Sequence, residues 1–283
     1  MISYYRCTEV SQELLFEAFH SGFSDYMIKF NLTKEMFLNR FFGAEGNALQ
    51  HSFIAVDGNK GIGLILGGIK EYEGCKTLRC GALAVHPSYR RKKIGDHLFG
   101  MHKEEGGIHA CKQLFLEVIQ GNDKAIAFYS KLGYEKVYDL SYFSMEILSN
   151  LAKYSLSCID MKKIGIHEFE VIAGQSRDIH INWQNDLDYL KAAKDVVYYG
   201  AYVEEQLIGS LAFQANGKVS YLRVEQGYRR RGVASALLKR ACDENNIRKI
   251  SLSFPNNSLL YGFVKHSGFT KDPVTQYEMY YIL

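Results

Sequence analysis

An internal repeat constrains this chain more than any other feature. Ala84–Phe99 (AVHPSYRRKKIGDHLF) aligns with Arg223–Leu238 (RVEQGYRRRGVASALL), and Asn122–Tyr134 (NDKAIAFYSKLGY) aligns with Asn257–Phe269 (NSLLYGFVKHSGF). Both pairs keep the same order, so the expectation is one fold built twice. At 283 residues the chain is long enough for two modest domains, each with a core of its own. We place them at residues 1–150 and 155–283, with the join inside Ser149–Asp160. That join has no Gly/Pro-rich linker, which predicts packed rather than flexibly tethered domains.

Local patterning supports the repeat. Ser11–Phe19 and Thr33–Phe41 read as helices, the second with Thr33 as N-cap. HSFIAV and LILGGIKEY, joined by DGNKG, predict a hairpin, and TLRCGALAV a strand. The loop HPSYRRKK, a helix over Gly95–Glu105 and the strand QLFLEV follow. A helix over Asp123–Leu132 ends at the C-cap glycine Gly133, and SYFSMEI closes the half as a strand. The second half repeats this as VVYYGAYV, LIGSLAFQ, VSYLRV, a helix over Gly232–Asn245, KISLSF, a helix over Ser258–His266 and the final strand YEMYYI.

Composition narrows the functional classes. A net charge of +3 is too small to imply a nucleic-acid or membrane partner. No apolar run is long enough to span a bilayer, and the N-terminus lacks a basic flank followed by an apolar stretch. The cysteines Cys7, Cys75, Cys80, Cys111, Cys158 and Cys242 show no CxxC pair, and read as reduced thiols of a cytoplasmic protein. The expectations are a monomer or homodimer, no metal, no nucleic acid and no membrane.

A strand entering an Arg/Gly-rich turn and then a helix forms an anion site. The first helical turn has unpaired N–H groups and the positive end of the macrodipole, and successive N–H groups in the turn form a concave nest. Both YRRKKIGD and YRRRGVAS have this form. They resemble the acyl-CoA signature of the GNAT N-acyltransferase superfamily, Q/R-x-x-G-x-G/A after a strand ending Val-x-Pro. In the first half Arg90, Arg91, Lys92, Lys93, Ile94 and Gly95 follow Val85 and Pro87, with Lys93 in place of the first glycine. A helical-region backbone at Lys93 is the expectation. In the second half Arg229, Arg230, Arg231, Gly232, Val233 and Ala234 match fully, but Gln226 stands where proline would be.

The resemblance implies two α/β domains, each with a central mixed, mostly antiparallel sheet flanked by helices. It also implies acetyl-CoA as cosubstrate. Its pyrophosphate would lie over Arg91–Asp96 or Arg230–Ser235. The pantetheine arm would meet backbone groups of Leu83, Ala84 and Val85, or Leu222, Arg223 and Val224, and the side chain of Asn122 or Asn257.

Acyl transfer from a thioester needs a neutral amine, although a lysine-like amine has a pKa of about 10.4. The departing thiolate benefits from an acid. LEVIQGNDKAIAFYSKLGY resembles the second conserved region of the superfamily. That makes Tyr129 the acid and Glu117 a possible base. Aligned on Gly268, the second half has Val264 at the tyrosine position and Leu252 at the glutamate position, so the first half is the expected enzyme. Tyr261, a turn earlier, would substitute only on a shifted helix. Phe23, Asp25 and Tyr26 are candidates to meet an acceptor amine, whether on a small molecule or a peptide. A non-catalytic acyl-CoA-binding or regulatory protein is the reading that remains open beside an N-acetyltransferase.

Overall fold

In both repeats the arginine-rich loop joins a strand to a helix, as the patterning predicts. The structure, a computed structural model, describes residues 1–146, 151, 158–174 and 179–283. The join at Ser149–Asp160 falls mostly outside the described residues. Two compact units divide the chain: Met1–Val137 with Tyr277–Leu283, and Tyr138–Gln276.

The first unit contains β1 (Ile2–Arg6), α1 (Gln12–Gly22), α2 (Lys34–Asn39), β2 (Ala48–Asp57), β3 (Lys60–Tyr72), β4 (Cys75–Val85), α3 (Ile94–Ile108), β5 (Gln113–Ile119) and α4 (Asp123–Lys131). Strands β1 to β4 pair antiparallel in order, and β5 joins β4 in parallel. Ser11 and Thr33 cap α1 and α2, their hydroxyls accepting the N–H groups of Leu14 and Met36. The side of the sheet carrying α3 and α4 buries Phe53, Ile65, Leu98, Leu116, Val118 and Tyr129. The side carrying α1 and α2 buries Leu15, Phe19, Phe37, Ile54 and Leu64.

The second unit begins within β6 (Glu135–Met145), followed by β7 (Asp160–Ile164), α5 (Ile166–Gly174), α6 (Leu187–Ala192), β8 (Val196–Val203), β9 (Gln206–Gln214), β10 (Lys218–Val224), α7 (Val233–Glu244), β11 (Ile250–Phe254), α8 (Ser258–Ser267) and β12 (Thr270–Lys271). Its strand order is β6-β11-β10-β9-β8-β7, with only the β10–β11 pair parallel. A mixed, mostly antiparallel sheet flanked by helices is thus present in both units.

One expectation needs correcting: neither repeat keeps its own closing strand. β6 pairs antiparallel with β11 through Ser141–Met145, while β13 (Gln276–Ile282) lies beside β5. Met279 enters the core with Phe99 and Leu116. Tyr280 donates to Glu73 Oε2 at 3.1 Å, and the Leu283 N–H donates to Lys112 O at 3.0 Å. YFSMEI and YEMYYI have similar alternation, and alternation sets which side chains face the core but not which sheet receives the strand. The domain limits at 150 and 155 and these compact units accordingly assign the closing strands differently.

Candidate active site

The two anion loops have the same backbone. Pro87–Tyr89 and Gln226–Tyr228 form matching 3-10 turns, so glutamine replaces proline without changing the path. The guanidinium Nε of Arg90 donates to Val85 O at 3.0 Å, and that of Arg229 to Val224 O at 2.9 Å. Lys92 lies over the Tyr89 ring at 4.9 Å, as Arg231 lies over Tyr228 at 5.6 Å. Arg91 and Lys93 have φ of 63° and 61°, Arg230 and Gly232 of 61° and 86°. The helical backbone expected at Lys93 is therefore wrong: this position is left-handed in both units. Glycine adopts that conformation freely, while lysine pays about 1–2 kcal/mol for it. The alternation turns successive N–H groups to one side, which is the form of an anion nest. Helices α3 and α7 start directly after it, at the buried Ile94 and Val233. Gly95 packs by Phe128, and Asp96 is exposed in the first turn of α3.

Beside each loop the parallel strands part. Pairing of β4 with β5 runs from Thr77↔Gln113 to Cys80↔Leu116, and pairing of β10 with β11 ends at Val219↔Leu252. Leu83, Ala84 and Val85, and Leu222, Arg223 and Val224, lie beyond these last paired residues. A register shift in each outgoing strand begins the divergence, around Gly81 and Ser220. A Cβ on Gly81 would lie 2.1 Å from Asn47 Oδ1, so any larger residue there would have to displace the buried Asn47 side chain.

Tyr129 on α4 is 8% exposed and packs in one core with Cys80, where the pairing of β4 with β5 ends. Burial, then the neighbouring Cys80, holds its phenol well above the usual tyrosine range, and its hydroxyl is hydrogen-bonded with the Cys80 sulfur. It stays protonated near neutrality. Burial pushes the Cys80 thiol up to about 12, which disfavours the thiolate a nucleophile needs. Asn122 caps α4, its Oδ1 accepting from the Ala125 N–H at 3.3 Å. Tyr26 is hydrogen-bonded with Asn122, bringing the segment after α1 to the slot. Asp25 meets Arg90 instead of open space, accepting from Nη1 and Nη2 at 2.6 Å each.

Glu117 occupies a different environment from the one a base requires. Its Oε2 accepts from Arg79 Nη2 at 2.7 Å and Nε at 3.1 Å, and the glutamate and arginine side chains are 2% and 6% exposed. Arg79 also donates to Glu45 Oε2 at 2.9 Å. The carboxylate is thus committed to a buried ion-pair network that its sequence neighbours do not reveal, since Glu45 and Arg79 lie far away along the chain.

In the second unit the slot opens into a cavity of about 700 Å³. Leu222, Arg223, Val224, Arg230, Gly232, Val233, Ala234, Ser235 and Asn257 all line it; Arg231 does not. Asn257 caps α8 as Asn122 caps α4, accepting from the Leu260 N–H at 3.0 Å. Val264 at the tyrosine position is fully buried in the core. The alignment of Leu252 with Glu117 is corrected by strand parity. Leu116 and Val118 face the first core, Leu252 and Phe254 the second, so Ser253 and not Leu252 corresponds to Glu117. The connection to the helix is one residue shorter and passes through Pro255. Sequence reasoning missed Asn182 and Asn185, which line the cavity and meet Ser253 through Asn185 Nδ2. Tyr261 is half exposed, against Phe143.

Comparison with known proteins agrees with this duplication. Residues 48–136 match the model described as acetyltransferase (GNAT) domain, and residues 164–269 that of the acetyltransferase (GNAT) family. No curated protein sequence matches significantly. Among solved structures, a tandem GNAT protein from the clavulanic acid biosynthesis pathway is 13% identical with a TM-score of 0.71, over 100% of this chain and 98% of that one. A GCN5-related N-acetyltransferase from Sphaerobacter thermophilus is 14% identical with a TM-score of 0.68, over 100% and 95%. A glucosamine N-acetyltransferase region of a fungal multi-domain GH3 beta-N-acetylglucosaminidase is 16% identical with a TM-score of 0.71, over 99% of this chain but 38% of that one. At these identities the likeness is one of fold. Among the described residues, no helix is long and apolar enough to cross a membrane.

Proposed function

The chain belongs to the GNAT acetyltransferases, with two such domains in tandem, and on that premise we propose that it transfers the acetyl group of acetyl-CoA to a primary amine, with the chemistry in the first unit. The observation that carries this reading is Tyr129. A protonated phenol stands beside Cys80, where β4 leaves β5, and the nest of Arg91–Lys93 follows on the same strand. The neutral amine attacks the thioester carbonyl carbon, and the C–S bond breaks as the tetrahedral intermediate collapses. The thiolate takes the Tyr129 proton, and the proton lost by the new amide nitrogen returns to Tyr129 through solvent. Glu117 we assign to holding Arg79 rather than to deprotonating the amine, because its Oε2 is taken by two hydrogen bonds from a buried guanidinium. The nest with Arg91, Lys92, Lys93, Gly95 and Asp96 would take the pyrophosphate, and Asn122 the pantetheine arm. Free-thiol release from acetyl-CoA, measured against a panel of primary amines, tests the proposal. No release with any amine, while acetyl-CoA binds, would favour the second reading.

That second reading rests on the cavity in the second unit. The better matched loop and the nine lining residues named above support acyl-CoA binding there, without a residue able to protonate a thiolate at Val264. The two readings are compatible if the second unit binds acyl-CoA and only the first turns it over.

A further inference from the structure

Away from both anion loops, three potential ligand atoms converge in the first unit. His51 Nδ1, Glu105 Oε1 and His109 Nε2 all lie within 4.8 Å of one another. Glu105 lies in the last turn of α3 and His109, four residues on, is its C-cap, and His51 comes from β2 at the irregular stretch between Ala48 and Phe53. The oxygen is 2.8 Å from His51 and 3.0 Å from His109. Glu105 is buried, whereas the side chains of His51 and His109 are 14% and 39% exposed, which leaves an entry path past the imidazoles.

We propose that His51, Glu105 and His109 form a binding site for a divalent transition-metal ion of the zinc type. Two imidazoles and one carboxylate are a common donor set for such ions, with water completing the coordination. Bonds of about 2.0–2.2 Å place tetrahedral donors about 3.3 Å apart. The two oxygen–nitrogen separations need to widen by about half an ångström or less, and the imidazoles to approach by at most about 1.5 Å. Both are within reach of side-chain rotation.

The surroundings suit this use. Arg6 Nη2 donates to the other oxygen, Glu105 Oε2, at 2.9 Å and leaves Oε1 facing the imidazoles, as outer partners of ligating carboxylates do. A turn before Glu105, on the same face of α3, His102 is fully buried with neither ring nitrogen hydrogen-bonded. A buried polar ring without a partner calls for an explanation such as an ion or its water. The ion would pin β2 to the C-terminal end of α3, a structural role independent of acyl transfer.

The test uses the full-length protein, stripped with EDTA and titrated with Zn²⁺ by calorimetry and with Co²⁺ by visible absorption. One ion per chain is expected, with micromolar or tighter affinity, a rise in melting temperature and visible cobalt bands. His109→Ala, at an accessible position, should weaken binding at least about 100-fold while leaving the circular dichroism unchanged. Glu105→Gln should do the same, provided the fold is intact. Absence of stoichiometric binding, or an affinity that His109→Ala leaves unchanged, overturns the proposal.

Discussion

Glu117→Gln separates a structural carboxylate from a catalytic base. The substitution removes one of two negative charges facing a guanidinium that is 6% exposed, while keeping the side-chain volume and one acceptor oxygen. Breaking a buried ion pair costs about 3–5 kcal/mol, and the remaining Glu45 places this change near about 3 kcal/mol. A protein domain of this size shifts by about 2–4 °C per kcal/mol, so the melting temperature should fall by about 6–12 °C. Differential scanning calorimetry, with thiol release measured well below the transition, reads both quantities. The account expects a large fall in melting temperature and less than about a tenfold loss in kcat, against the 100-fold or more typical of a lost base. An unchanged melting temperature with a 100-fold loss in kcat would refute the reasoning and restore Glu117 as the base.

Tyr129→Phe should lower kcat by about 10- to 100-fold while acetyl-CoA affinity, measured by calorimetry, stays the same; an unchanged rate with chemistry limiting removes Tyr129 from the mechanism. Because Lys93 and Gly232 share a left-handed backbone, Gly232→Ala should destabilise by about 1 kcal/mol and Lys93→Gly should not destabilise at all in urea titrations. Calorimetry with acetyl-CoA should show a site that is lost in Arg230→Glu and retained in Arg91→Glu; loss of all binding in Arg91→Glu contradicts a binding site in the second unit.

The duplicated fold was legible because its signals are local. The loop after each strand, the capping Asn122 and Asn257, and the glycines Gly133 and Gly268 each sit within a few residues of the feature they determine. The left-handed glycines at 133 and 268 fall where the C-cap pattern puts them. What the sequence hid is long-range. The closing strands β6 and β13 have interchangeable patterns, so their sheets are settled by tertiary packing around Met279 and Met145. Arg79, the partner of Glu117, is 38 positions away, with its other partner Glu45 34 positions further back, and a strand-end glutamate looks the same whether solvated or paired. β1, β7, α5 and α6 lack counterparts among the motif pairs and were missed. Lys93 was misjudged because a non-glycine residue gives no local sign of positive φ. The one-residue shift at Ser253 was hidden by aligning on Gly268 across a shorter connection. His51 was invisible as a partner of Glu105, although the Glu105–His109 spacing on one helix face was on view.

The claim that acyl transfer belongs to the first unit is tested most directly by turnover in two full-length variants, each with a carboxylate in one anion loop. Arg91→Glu repels a diphosphate at the first nest, and Gly232→Glu does so at the second. With acetyl-CoA and a competent amine, the account predicts that Arg91→Glu abolishes thiol release and that Gly232→Glu retains it. Release lost in Gly232→Glu but kept in Arg91→Glu, with both variants folded, would place the active site in the other unit.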